Sequence, residues 1–202
     1  MGLAEQQALL ARLYTDATLR EEFFTAPLDM AAQWGLSADD AQHLARLPSH
    51  QVSQFAASLH TKRLNEVQHL VPCTLRALGE RFAPLFRLYV PTHVPQGTRK
   101  HPDDAIAFVN YLHHSASQQN IAPWIIDVAR YEAAWLYMMN PSHRSLIRRF
   151  RYPVGKMIPM LAQQQVPTIP ARQASVALWL RLTPKSRVQH VVLSLPGLDH
   201  PA

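Results

Sequence analysis

Eleven histidines and one cysteine, Cys73, are the residues with which this 202-residue chain could hold a metal or attack a carbonyl. Their spacing argues against both. His93, His101, His113, His114 and His143 are the notable candidates, yet none falls in HxxxH or HxH spacing on one face with an acidic partner. Adjacent His113 and His114 point in different directions from a helix. One cysteine can form neither an intrachain disulfide nor a Cys-based metal cluster, and Cys73 sits in an apolar helical context where an inert core thiol is expected. Serines are scattered without GxSxG. The six glycines form neither GxGxxG nor a P-loop, which speaks against a nucleotide cradle. The sequence therefore assigns no catalytic residue, no metal ligand and no cofactor to this chain, which is not expected to be an enzyme by itself.

Charge points elsewhere, to binding. The last seventy residues carry nine Lys/Arg and one acid, Asp199, against eleven basic and thirteen acidic groups in the first 132. Almost all of the net +6 thus sits at one end, which is suited to an anionic partner: nucleic acid, an acidic peptide or an acidic protein face. Arg148, Arg149 and Arg151, interleaved with Phe150 and Tyr152, form the densest cluster. Guanidinium beside aromatics suits nucleic acid, and bidentate pairing suits carboxylates equally. A solvated edge strand whose charges block aggregation is the plainer alternative. Glu132 lies on a helix flank between Val128 and Trp135, so it should be partly buried and want a partner. An ion pair with an arginine of the basic tail is expected.

The elements that position these residues are helical first. Asp16 and Ser37 read as N-caps, with Gly35 as a stop between them. Ser49 to Leu70 reads as one long helix, ended by Pro72. A second helix, Cys73 to Tyr89, carries Leu75, Leu78, Phe82, Leu85 and Phe86 on one side. The stretch from Pro91 to Pro102 is a loop, and Asp103-Asp104 opens a helix through His114. Pro123 opens another through Met139, with Trp124, Val128, Tyr131, Trp135 and Met138 on one face. After Pro141 the character changes. Leu146 to Tyr152 is a strand candidate, and Val154 to Gln163 fits a short helix despite Pro159. Ala174 to Thr183 alternates strictly, with Val176, Leu178, Leu180 and Leu182 on one side and Ala177, Trp179 and Arg181 on the other. Thr183-Pro184-Lys185-Ser186 turns the chain into a second strand, Arg187 to Leu195. The fold class is α+β: a helical domain over 1–140, and over 141–202 a small antiparallel sheet with a short helix, of winged-helix or peptide-recognition type. No run is long and apolar enough to span a membrane, and no signal peptide precedes the first helix. A soluble, cytoplasmic setting is expected.

An open edge on such a sheet can accept an extended peptide as an added strand; an edge that stays unpaired is the alternative. The candidate peptide-binding residues are Arg187, Val188, Gln189, His190, Val191, Val192 and Leu193 on the last strand, with Arg148, Arg149 and Arg151 as a basic cluster.

Two stretches carry a resemblance. Residues 14–28 (Tyr14-Thr-Asp-Ala-Thr-Leu-Arg-Glu-Glu-Phe-Phe-Thr-Ala-Pro-Leu), with Trp34-Gly-Leu-Ser-Ala-Asp-Asp-Ala and Ser58-Leu-His-Thr-Lys-Arg-Leu, resemble the helical subunits and accessory proteins of peptide-modifying cassettes. Ala129-Arg-Tyr-Glu-Ala-Ala-Trp, Phe150-Arg-Tyr-Pro-Val and the hairpin are similar to the partner proteins of TIM-barrel multi-iron oxidases. The order of elements resembles the methanobactin biosynthesis accessory proteins of the MbnC type, as does an end at Ala202 without a further helix. That resemblance implies a non-catalytic subunit of a heterodimer, with iron held by the barrel partner. The partner would oxidise Cys of a ribosomal precursor peptide to an oxazolone and thioamide, in the biosynthesis of a copper chelator. This chain would hold the leader of that peptide. The subunit interface is then expected on the aromatic-rich helices between Pro72 and Met139, since faces such as Phe82/Phe86 would otherwise be exposed. Two rival readings are a winged-helix-like nucleic-acid binder and the all-helical small subunit of a ring-cleaving dioxygenase.

Overall fold

A computed structural model describes residues 3–167 and 170–195. The chain forms two compact units: residues up to Asn65 with Val90–Val94, and Glu66–Tyr89 with residues from Pro95 onward. The point 140/141 lies inside the second unit, where the sheet shares a core with the helix before it.

The first unit is helical. It contains α1 (Leu3–Thr15), α2 (Ala17–Thr25), α3 (Pro27–Gln33), α4 (Ala38–Ala45) and most of α5 (Ser49–Leu70). The caps are the expected ones. The Asp16 side chain accepts from Leu19 N (3.1 Å) and the Ser37 hydroxyl from Asp40 N (3.2 Å); Gly35, at φ +70°, supplies the left-handed turn between α3 and α4. Leu9, Leu13, Phe23, Ala31, Leu36, Ala41 and Val52 form its core.

The second unit is mixed. Its helices are α6 (Pro72–Leu78), α7 (Phe82–Tyr89), α8 (Lys100–His114), α9 (Pro123–Met138) and α10 (Val154–Ala162). Its strands β1 (Ser145–Phe150), β2 (Ser175–Leu180) and β3 (Gln189–Ser194) form an antiparallel sheet in the order β1-β2-β3. The fold is α+β, and the sheet argues against the all-helical rival. The helix expected from Cys73 to Tyr89 is broken: Gly79 adopts φ +55°, and Gly79–Arg81 form a 3-10 turn. That break lets Phe82, Phe86 and Tyr89 turn inward onto Phe108 of α8, at ring separations of 5.1, 5.2 and 5.4 Å. Phe82 and Phe86 are buried by their own chain, so the argument that they require a partner fails.

The central element is α9. Twelve of its sixteen residues are buried, against α8 on one side and the sheet on another. Tyr131, Ala134 and Met138 meet Leu146, Phe150, Ala177 and Trp179, with Val154 of α10 closing the same core. The turn 183–186 forms as expected, with Ser186 N donating to Thr183 O (3.0 Å).

Candidate functional site

Two buried carboxylates on α9 set the frame. Glu132 does not pair with an arginine. Its Oε1 accepts from Cys73 N (2.8 Å), and its Oε2 accepts from Thr74 N and the Thr74 hydroxyl (both 2.7 Å). The first N–H groups of α6 have no intrahelical acceptor, and the preceding Val71 cannot cap them; Glu132 supplies the cap from another helix. Burial pushes the Glu132 carboxyl up, and the donors from Thr74 and Cys73 pull it back towards the ionised form. The same contact disarms the cysteine. Burial first, and the neighbouring carboxylate second, push the Cys73 thiol up to about 11, far from a reactive thiolate. Asp127, one turn and a half earlier, holds the exit of β1. Its Oδ2 accepts from Arg151 N (2.6 Å) and Tyr152 N (3.1 Å), and its Oδ1 from Arg130 (3.3 Å).

The Asp127 anchor holds the end of β1 to α9. The inner face of the sheet, Leu146, Phe150, Ser175, Ala177 and Trp179, lies against α9 and α10. On β3, His190 and Val192 continue that face. The His190 ring packs on Trp179 (4.9 Å) and Trp135 (5.0 Å), and the Tyr131 hydroxyl lies 3.3 Å from its Nε2. Burial lowers its pKa. Val192 meets α10 at Gly155, where an added Cβ would stand 3.2 Å from a Val192 methyl. Glycine is therefore what lets the helix approach the strand this closely.

The ladder tells which backbone groups are free. Leu195 N donates to Ala174 O (2.9 Å), continuing the β2–β3 register. Bonded and non-bonded pairs alternate in an antiparallel ladder. Val191 and Leu193 therefore turn their backbone groups to β2, and His190 and Val192 turn theirs to the outer edge. Among the described residues nothing hydrogen-bonds the backbone of His190 or Val192 there. The β1 edge is different. Arg181 N donates to Arg144 O (2.7 Å), so by the same alternation Ile147 points its carbonyl outward. The Arg148 guanidinium occupies that carbonyl at 3.2 Å. An arginine folded over its own edge is a device that blocks strand pairing. Among the described residues, β1 thus carries a side chain on one of its outward carbonyls, and β3 carries none.

The residues singled out in the sequence are thus not one cluster. Gln189, Val191 and Leu193 are exposed on the outer face of β3, His190 and Val192 face inward, and Val188 packs on the core just before the strand. Arg187 is exposed ahead of β3. Arg148 and Arg149 lie on β1, two strands or about 10 Å from the open edge. Arg151 follows β1 and lines a hollow with His113, Ser117, Asn120, Asp127 and Arg130. Sequence reasoning passed over Asp127, and its only signal was an acid on an otherwise apolar helix. Among the described residues, no group of three or more His, Cys, Asp or Glu is placed to hold a metal ion, and no helix is long and apolar enough to cross a membrane.

Comparison with known proteins adds one finding. Residues 45–114, about a third of the chain, match the family described as SCO6045-like, C-terminal domain, a description that carries no activity. The match runs from the end of α4 to the end of α8 and stops short of the sheet. No curated protein matches the chain.

Proposed function

We propose that this chain is a non-catalytic partner subunit that captures an extended peptide on the open edge of β3. The observation that carries the reading is the contrast between edges: among the described residues nothing bonds the outward backbone of His190 or Val192 on β3, while Arg148 caps the outward carbonyl of Ile147 on β1. A peptide added there would gain main-chain hydrogen bonds, with its alternate side chains falling beside Val191 and Leu193 on one face and beside His190 on the other. In the finer form of the reading, the peptide is the leader of a ribosomal precursor. The partner is then an iron-dependent barrel oxidase that converts its Cys to an oxazolone and thioamide, as in the methanobactin accessory proteins of the MbnC type. The high pKa of Cys73 and the structural use of Glu132 and Asp127 agree with chemistry performed by the partner and not by this chain.

The test is a pull-down of the tagged protein from its native host, read by mass spectrometry and iron analysis. Recovery of an iron-containing barrel oxidase with a short Cys-containing peptide supports the finer reading. Recovery of nucleic acid, with no protein partner and no iron, overturns it. Peptide capture on β3 has its own control. Backbone N-methylation of alternate residues in the recovered peptide abolishes binding in one register, where donors face β3, and leaves it intact in the other. Equal effects in both registers would exclude strand addition.

A further inference from the structure

The outer face of the sheet is largely apolar, and among the described residues it stands partly or largely exposed. In register, Ile147, Leu178 and Val191 form one row, and Arg149, Val176 and Leu193 the next. Ile147 is 63% exposed, Leu193 58% and Val191 44%. Between Cβ positions the patch spans two strand spacings and one side-chain repeat, roughly 10 Å by 7 Å. It is the size of the centre of a protein interface and not of a whole one. Its surroundings are of one sign: the sequence from Ala133 to Leu195 contains nine Lys/Arg and no Asp or Glu. Arg149 stands within the face, and Arg144, Lys185 and Arg187 are exposed in the chain leading into and between the strands.

We infer that this face is a docking surface for a protein whose own contact region is apolar at its centre and carboxylate-bearing at its rim. Charge selects among occupants. A second copy meeting this face with its own would set cation against cation, with no carboxylate on this segment to relieve it. A nucleic acid would match the cations and leave the aliphatic rows against a hydrated, charged backbone. An apolar surface ringed by Asp and Glu satisfies both the rows and the arginines. The inference is separate from strand addition, which uses backbone groups of the edge; this one uses side chains of the face.

The experiment places a photo-crosslinking residue at position 147 or 193 in the full chain inside its native host, with position 28 as an exposed control in the other unit. Adducts of 147 and 193 with the same protein, through a segment containing Asp or Glu, and no such adduct from 28, are the expected result. With that protein purified, Arg149→Glu weakens binding at least tenfold at low salt, and the difference shrinks as salt rises. Ile147→Ser with Leu193→Ser weakens it at every salt concentration. Thermal melting of both variants confirms the fold. Adducts with a second copy or with nucleic acid, adducts shared with position 28, a captured segment without carboxylates, no adduct at either sheet position, or unchanged binding by Arg149→Glu would each overturn the inference. Alternate N-methylation of a peptide tests the edge and leaves this face untouched, so the two can fail separately.

Discussion

The two faces of the three-stranded sheet are both largely apolar, yet among the described residues only one is covered. On the inner side Ala177 and Trp179 are fully buried beneath α9 and α10; on the outer side Val176, Leu178 and Leu180, a more continuously aliphatic row, stand partly or largely exposed. Burial follows the helices that Asp127 and Glu132 tether, not the hydrophobicity of the row. The two edges repeat the lesson: an arginine caps an outward carbonyl of β1, and among the described residues nothing caps those of β3. That exposed aliphatic row is the surface on which the proposed docking rests.

The largest expected effect belongs to the covered face. Trp179→Ala should cost about 3–5 kcal/mol in a chemical-denaturation measurement, by removing the largest fully buried side chain of this core. A loss below 1 kcal/mol would mean that the inner face is not the stabilising one. Next comes the tether. Glu132→Ala leaves two buried N–H groups and a hydroxyl without acceptors, and is expected to cost about 2–4 kcal/mol, partly offset by no longer burying a carboxylate. An unchanged melting temperature would contradict the capping role.

The edge histidine supplies a pH signature. Burial lowers the pKa of His190, so the unfolded chain binds its proton more readily than the fold does. Its contribution is complete above about pH 6.5 and is lost as pH falls through that value towards the lower folded-state pKa. Glu132 and Asp127, raised by burial, act in the opposite sense, favouring the fold as pH falls. His190→Gln should therefore flatten the loss of stability between pH 7 and 5.5 relative to the parent. An identical slope would place His190 outside the core. The smallest effect is the outer face itself: Ile147→Ser with Leu193→Ser should change stability by no more than about 0.5 kcal/mol, because both side chains are already in water. A loss of several kcal/mol would show the face to be structural.

Much of this was legible in the residues, and what was not has a common cause. The caps at Asp16 and Ser37, the long helix Ser49–Leu70, and the hairpin around 183–186 depend on local chemistry, and local patterns reveal them. Alternation in Ala174–Thr183 says which side chains share a face but not which face is covered; that depends on where α9 and α10 lie. Phe82 and Phe86 looked exposed because periodicity cannot show the turn at Gly79 that folds them onto Phe108. Glu132 announced that it needed a partner, but its partner is a helix N-terminus 58 residues away in sequence, for which sequence has no signal. The open edge required the ladder's phase, read from Leu195 N to Ala174 O.

The most direct test of the central claim is amide hydrogen exchange along β3, in the chain alone and with the peptide recovered from the host. The account predicts alternation in the free chain: slow exchange at Val191 and Leu193, bonded to β2, and fast exchange at His190 and Val192. Adding the peptide should protect His190 and Val192 and leave the other two unchanged. Uniform protection of all four in the free chain, or no gain at His190 and Val192 when the peptide binds, would contradict an open edge that captures its ligand as a strand.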